Sequence, residues 1–175
     1  GKSREKRKFA NKHKPDEAKR REPKSFGEII TIDHLTVGDG IEARGVGGKS
    51  AMLTFFDLAT NFRYAMPCAD KYADSTFASL QYMKGGMEFG RCYCDNHQSL
   101  MLALRDLRVL HEPSQQGVPQ TNSRIERCNG VIMDGTRATL ATAGLPACFW
   151  PYAAQCFCTL TNISYTPGEE SAWCK

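Results

Sequence analysis

No stretch of this chain stays apolar for the ~20 residues that a bilayer-spanning helix requires, so it is not expected to cross a membrane. No charged-then-apolar leader opens it either, and a soluble, intracellular protein is the expectation. Histidine is scarce. Its four residues, His13, His34, His97 and His111, form no H-x₃₋₅-H pair. The eight cysteines lack the C-x₂₋₄-C repeats of structural zinc sites, because the close pairs Cys92–Cys94 and Cys156–Cys158 are spaced C-x-C. Reduced, partly buried thiols are therefore expected in place of a zinc module or a disulfide framework. The glycine-rich run Gly45-Val46-Gly47-Gly48-Lys49 lacks the eight-residue Walker spacing, which removes a nucleotide-phosphate loop and leaves an ordinary turn.

What is present is the composition of a globular domain with a basic tail. Hydrophobic residues make up 41% and charged residues 24% of 175, enough for one core-burying unit. Residues 1–25 carry a net +7, and the whole-chain +4 leaves residues 26–175 at −3. The basicity thus belongs to the tail, whose only large apolar residue is Phe9. A segment of this kind is either a solubilising linker or an arm that contacts phosphates. Arg4-Glu5-Lys6-Arg7-Lys8 also has the form of a nuclear localisation patch. Three divisions follow: a tail over 1–25, a core over 26–165 and an extension over 166–175.

The pattern of the core predicts mixed α/β structure. Strands are expected over Phe26–Val37, Ala51–Leu58, Phe62–Pro67 and Met87–Cys94, with a short one over Val109–Glu112. Helical spacing runs over Lys71–Met83, His97–Val109 and Asn122–Ala143, and a last helix starts at Pro146. The stripe of the third helix is Ile125, Ile132, Thr136, Leu140 and Ala143. Gly130 and Gly135 weaken that helix by roughly 1 kcal/mol each relative to Ala. Three acids stand out in this frame. Asp33 closes an apolar strand, Asp95 follows the strand ending at Cys94, and Glu126 opens the stripe of the third helix. Taken singly they read as a turn residue, a helix N-cap and an exposed helical acid.

Five collinear segments change that weighing. They are Ile32-Asp33-His34-Leu35; Leu53-Thr54-Phe55-Phe56-Asp57 with Asn61-Phe62-Arg63-Tyr64; Cys94-Asp95-Asn96; Gly117-Val118-Pro119-Gln120-Thr121-Asn122 leading to Ile125-Glu126-Arg127; and Ala143-Gly144-Leu145-Pro146 with Phe149-Trp150. In this order they resemble the catalytic core of retroviral and copia-type retrotransposon integrases. The resemblance implies a ribonuclease H-like fold, a mixed five-stranded sheet flanked by helices. It also implies that Asp33, Asp95 and Glu126 are catalytic and hold two Mg²⁺ or Mn²⁺ ions, hard cations suited to carboxylate oxygen. Double-stranded DNA is the implied partner, of both element ends and target, with homo-oligomerisation and action in the nucleus. The implied chemistry trims DNA 3′ ends and joins them to target DNA.

DNA-contact candidates are Asn122, Arg124, Arg127 and Arg137 in the core and Lys6, Arg7 and Lys8 in the tail. Two departures stand beside the resemblance. The 30 residues between Asp95 and Glu126 are fewer than in the retroviral pattern, and Gly130, with Met133 one turn on, occupies the place where the family often carries a basic residue. A non-catalytic nucleic-acid-binding relic of the fold is therefore the alternative. A ribonuclease H-like nuclease acting on RNA–DNA hybrids is a third reading.

Overall fold

A computed structural model describes residues 22–38, 40, 43–113, 119–165 and 167–175, with only the backbone for 113 and 119–122. The run Ile29-Ile30-Thr31-Ile32 is β-branched throughout and forms the start of strand β1 (Ile29–Thr36). Its neighbours are β2 (Ala51–Asp57), β3 (Arg63–Cys68), β4 (Arg91–Cys94) and β5 (Leu110–Pro113). They form one sheet in the order β3-β2-β1-β4-β5. β1, β2 and β3 pair antiparallel, while β4 joins β1, and β5 joins β4, in parallel. Parallel neighbours need crossovers, and helices supply them. Helix α1 (Ala73–Lys84) leads from β3 to β4, and α2 (Gln98–Asp106) leads from β4 to β5. Helices α3 (Pro119–Ala143) and α4 (Trp150–Ile163) follow, with a 3₁₀ turn over Ala147–Phe149 between them.

Both faces of the sheet are covered, which is why β2 is buried along its whole length. On one face Ile30, Ile32, Leu53 and Phe55 pack against Leu80 of α1 and Leu100 and Leu104 of α2. On the other, Met52 and Phe56 meet Ile125 and Ile132 of α3 and Trp150, Ala154 and Cys158 of α4. The odd-numbered residues of β1 therefore face α3 and the even-numbered ones face α1 and α2. This alternation decides what Asp33 and His34 see.

Three local features set the frame of the site. Asp57, buried at the end of β2, accepts hydrogen bonds from the N–H groups of Gly27, Ala59 and Thr60 and from the Thr60 hydroxyl, which pins the β2–β3 turn to the entry of β1. Between β1 and β2, Gly45 lies so close to Trp150 and Pro151 that a Cβ there would overlap them, while the Trp150 indole N–H donates to Ala43 O (3.1 Å). Residues 167–175 return to the core: the Trp173 N–H donates to Asn162 O at 2.9 Å, and its ring lies 6.1 Å from that of Phe62.

The expected strands and helices are present with shifted ends. β1 begins at Ile29 instead of Phe26, because residues 26–28 are held in a turn by the Gly27–Asp57 bond. α3 begins at Pro119, where a missing N–H costs nothing in a first helical turn. Ile125, Ile132 and Thr136 are buried as the stripe requires, while Ala143 is exposed at the helix end. All eight cysteines are free thiols. No helix among the described residues is long and apolar enough to cross a membrane.

Candidate active site

The parallel register of β1 and β4 pairs Thr31 with Tyr93. Asp33 lies further along β1 on the α3 side, and Asp95 follows directly after the last residue of β4. They line one cleft of about 450 Å³ with His34, Lys71, Asn96 and His97. Asp95 is exposed and Asp33 half-buried. Asp95 is not the N-cap of α2, because His97 holds that position.

Asp33 is fixed from two sides. Its Oδ1 accepts the His34 backbone N–H at 2.7 Å, and its Oδ2 accepts Asn129 Nδ2 at 2.8 Å. Asn129 is itself oriented, since its Oδ1 accepts the Thr54 hydroxyl at 2.7 Å. A buried helical asparagine thus ties α3 to β2 and to the candidate carboxylate. Burial pushes the Asp33 carboxyl above its ordinary range, the two hydrogen bonds oppose it, Asp95 pushes it further up and Lys71 pulls it down. Two acids side by side, one of them desolvated, favour a site that gains from a cation.

His34 faces the other side of the sheet. Thr76 spends its hydroxyl hydrogen on Tyr72 O (2.8 Å), so it accepts from His34 Nε2–H at 3.1 Å. Nδ1 is then the unprotonated nitrogen, buried without a partner. Burial first, then His97 (ring centroids 5.6 Å apart) and Lys71, lower this imidazole from an ordinary 6.5 to about 4. A depressed histidine binds its proton only at lower pH in the fold than in the unfolded chain. Stability should therefore rise with pH between about 4 and 6.5 and be lost on acidification through that window. After discounting for partial exposure the loss is up to about 2 kcal/mol. Thermal melting across pH 4–7 should show a shallower acid limb in His34→Gln than in wild type; superimposable limbs would assign the acid sensitivity elsewhere.

Glu126 sits on α3 one turn before Asn129, exposed, and does not line the Asp33–Asp95 cleft. Among the described residues no three His, Cys, Asp or Glu side chains form a group able to hold a metal ion. The donor set still has the right chemistry: two carboxylates lining one cleft offer hard oxygen ligands to a divalent cation. Arg124 and Arg127 are exposed on α3 and line a neighbouring pocket, whereas Arg137 is exposed and ion-paired with Asp134 at 2.9 Å. The side chain of Asn122 and all of Lys6, Arg7 and Lys8 lie outside the described residues. Gly130 faces open solvent, with nothing within 4 Å of the point a Cβ would occupy. The positioning residue that sequence reasoning overlooked is Asn129. Its only mark in the sequence is a polar residue three positions after Glu126, which by itself does not set it apart from other helical polar residues.

This architecture, a mixed five-stranded sheet flanked by helices, is the ribonuclease H-like fold of integrase catalytic cores. The chain superposes on a chain of the simian T-cell lymphotropic virus intasome in complex with the PP2A regulatory subunit B56 gamma, with a TM-score of 0.66 at 15% identity over 84% of this chain and 53% of that one. It is also similar to the catalytic core domain of BIV integrase (TM-score 0.64, 10% identity, 84% of this chain and 91% of that one). The HTLV-2 integrase catalytic core domain in complex with magnesium gives 0.61 at 14% identity, over 84% and 94%. In sequence, the chain is 28% identical over 145 residues to the retrovirus-related Pol polyprotein from transposon TNT 1-94 of Nicotiana tabacum, across 78% of this chain and 11% of the polyprotein. It therefore spans about a tenth of that relative's length. No family model matches it.

Proposed function

We propose that the chain is the catalytic core of a retrotransposon integrase, a polynucleotidyl transferase that cuts and joins DNA with divalent metal. The observation that carries this reading is that Asp33 and Asp95 line one cleft, with Asn129 orienting Asp33. Asp33 and Asp95 would hold Mg²⁺ or Mn²⁺, and Glu126 would complete the set as the third carboxylate. When bound, such a metal pair activates the attacking oxygen and stabilises the leaving one in displacement at phosphorus. The residues here contribute the frame. Asn129 and the His34 N–H keep the Asp33 oxygens aimed, and burial by α3 limits water around them. The substrate is duplex DNA, with the basic tail residues Lys6, Arg7 and Lys8 adding sequence-independent attraction to phosphates. Magnesium in the HTLV-2 core and the assembly named for the intasome support a metal-using, oligomeric integrase.

A second reading is favoured by one observation: Glu126 is exposed and stands outside the cleft. On that reading the chain is a relic of the fold that binds nucleic acid without cutting it. Incubation with supercoiled plasmid and Mg²⁺ or Mn²⁺ separates the two. An integrase core should nick the plasmid in a metal-dependent way, and Glu126→Gln should reduce nicking to background. Wild-type nicking no greater than that of Glu126→Gln would leave the relic.

A further inference from the structure

Beside the Asp33 cleft, on the same sheet face, lies a pocket of a different character. Arg63 opens β3, and its backbone is clamped by one side chain: its N–H donates to Asn162 Oδ1 (3.0 Å) and its carbonyl accepts from Asn162 Nδ2 (2.7 Å). Its guanidinium carbon lies 5.9 Å from the centre of the Phe56 ring. The Arg63 Nε is buried, and among the described residues no hydrogen bond offsets its desolvation. Arg124 and Arg127, three apart on α3, share a helix face. Together with Asn61, Phe56 and Cys128, the three arginines line a pocket of about 350 Å³. Burial pushes the Cys128 thiol up to about 11 against the opposing pull of Arg63, so the floor is neutral at physiological pH.

The charge here is unbalanced. Among the described residues no carboxylate lines the pocket and none of the three arginines is ion-paired. Residues 26–175 are net −3, so three cations without an acid do not follow from the domain's composition. A guanidinium offers a planar fork of N–H donors that matches a phosphate's oxygens, and a rigidly held arginine loses little freedom on binding one. Position adds a second argument. Phe56 is two residues along β2 from Thr54, the partner of Asn129, which places the pocket roughly 7 Å from the link to Asp33.

We propose that Arg63, Arg124 and Arg127 form a phosphate site that receives a backbone phosphate of the DNA strand passing the Asp33 cleft. This deepens the integrase reading and rests on it for the identity of the ligand. Two measurements on the full chain test it. In the first, millimolar inorganic phosphate is compared with chloride at constant ionic strength. Phosphate should raise the melting midpoint of wild type and not that of the double variant Arg124→Gln/Arg127→Gln, whose substitutions are exposed on α3. An equal response to phosphate and chloride in wild type would overturn the site. In the second, duplex DNA affinity is followed against salt. Losing two contacts should flatten the log–log slope by about 1.8. A wild-type slope in the double variant would overturn the assignment to DNA. If wild type lacks metal-dependent nicking while both responses hold, the integrase reading fails and the phosphate site stands.

Discussion

Asp33→Asn is expected to raise the melting midpoint of the metal-free protein while cutting metal-dependent nicking by at least about a hundredfold. The activity figure takes as its floor the upper end of the roughly 10–100-fold loss seen when partners behind metal ligands are removed, since Asp33 would be a ligand itself. The stability change follows from the raised Asp33 pKa. Burial and the neighbouring Asp95 disfavour the ionised form in the fold. A carboxyl raised in this way holds its proton to higher pH when folded than when unfolded, so its contribution to stability falls as pH rises through the folded pKa. At neutral pH the ionised group is a liability that an amide removes. The hydrogen bonds can adapt: the new amide oxygen accepts the His34 N–H, Asn129 turns over, and the Thr54 hydroxyl turns to the residue 33 carbonyl, 3.1 Å away. A stability gain coupled to a loss of activity is the pattern of a residue kept for chemistry. Mg²⁺ should reverse the ranking, since a ligand bound only by the native state at 100 times its Kd adds about 2.7 kcal/mol to wild type. Melting curves of both proteins with and without Mg²⁺ check this. A lower metal-free midpoint for Asp33→Asn, or an equal Mg²⁺ response in both, would remove Asp33 from the site.

Much of this geometry was legible in the sequence because it follows from strand periodicity. Ile30 and Ile32 had to face one core, so Asp33 had to share the opposite face with Thr31, and the strand ending in Cys94 brings Asp95 to the same cleft. The order of three strands, then alternating helices and strands, needed only the crossover requirement of parallel pairing. What was not legible depends on contacts distant in sequence. Asn129 reads as an ordinary helical polar residue until Thr54 and Asp33, 75 and 96 positions away, are found on either side of it. The helix period puts Glu126 at the edge of the stripe, and the side chain's exposure there depends on how α3 rolls on the sheet, which periodicity leaves free. The anion pocket likewise combines a strand start with a helix face. Trp173, in a segment with no strong pattern, carried no sign that it would reach Phe62.

The two glycines of α3 are equivalent by propensity and opposite by environment. Gly130 is exposed, with open space where a Cβ would stand, so Gly130→Ala should stabilise the protein by up to about 1 kcal/mol. At Gly135 a Cβ would fall within the ring of Phe157 on α4, whose close approach to α3 depends on that missing methyl. Helix propensity again favours Ala by about 1 kcal/mol, but the overlap forces α4 outward or Phe157 off its rotamer, at about 1–3 kcal/mol. Because a Cβ would fall within the ring itself, not against the end of a flexible chain, the steric cost should win. Gly135→Ala should then destabilise by up to about 2 kcal/mol, roughly 2–4 °C of melting temperature per kcal/mol in a chain of this size. The cause is tested by a double-mutant cycle with Phe157→Ala. In that background the overlap is gone and Gly135→Ala should become neutral or stabilising, leaving a coupling energy of at least about 1 kcal/mol. Additive effects would show that α3 is not seated on α4 through this contact. The seat matters for function because α3 carries Asn129 and Glu126, so Gly135→Ala should also weaken nicking while Gly130→Ala leaves the helix where it is.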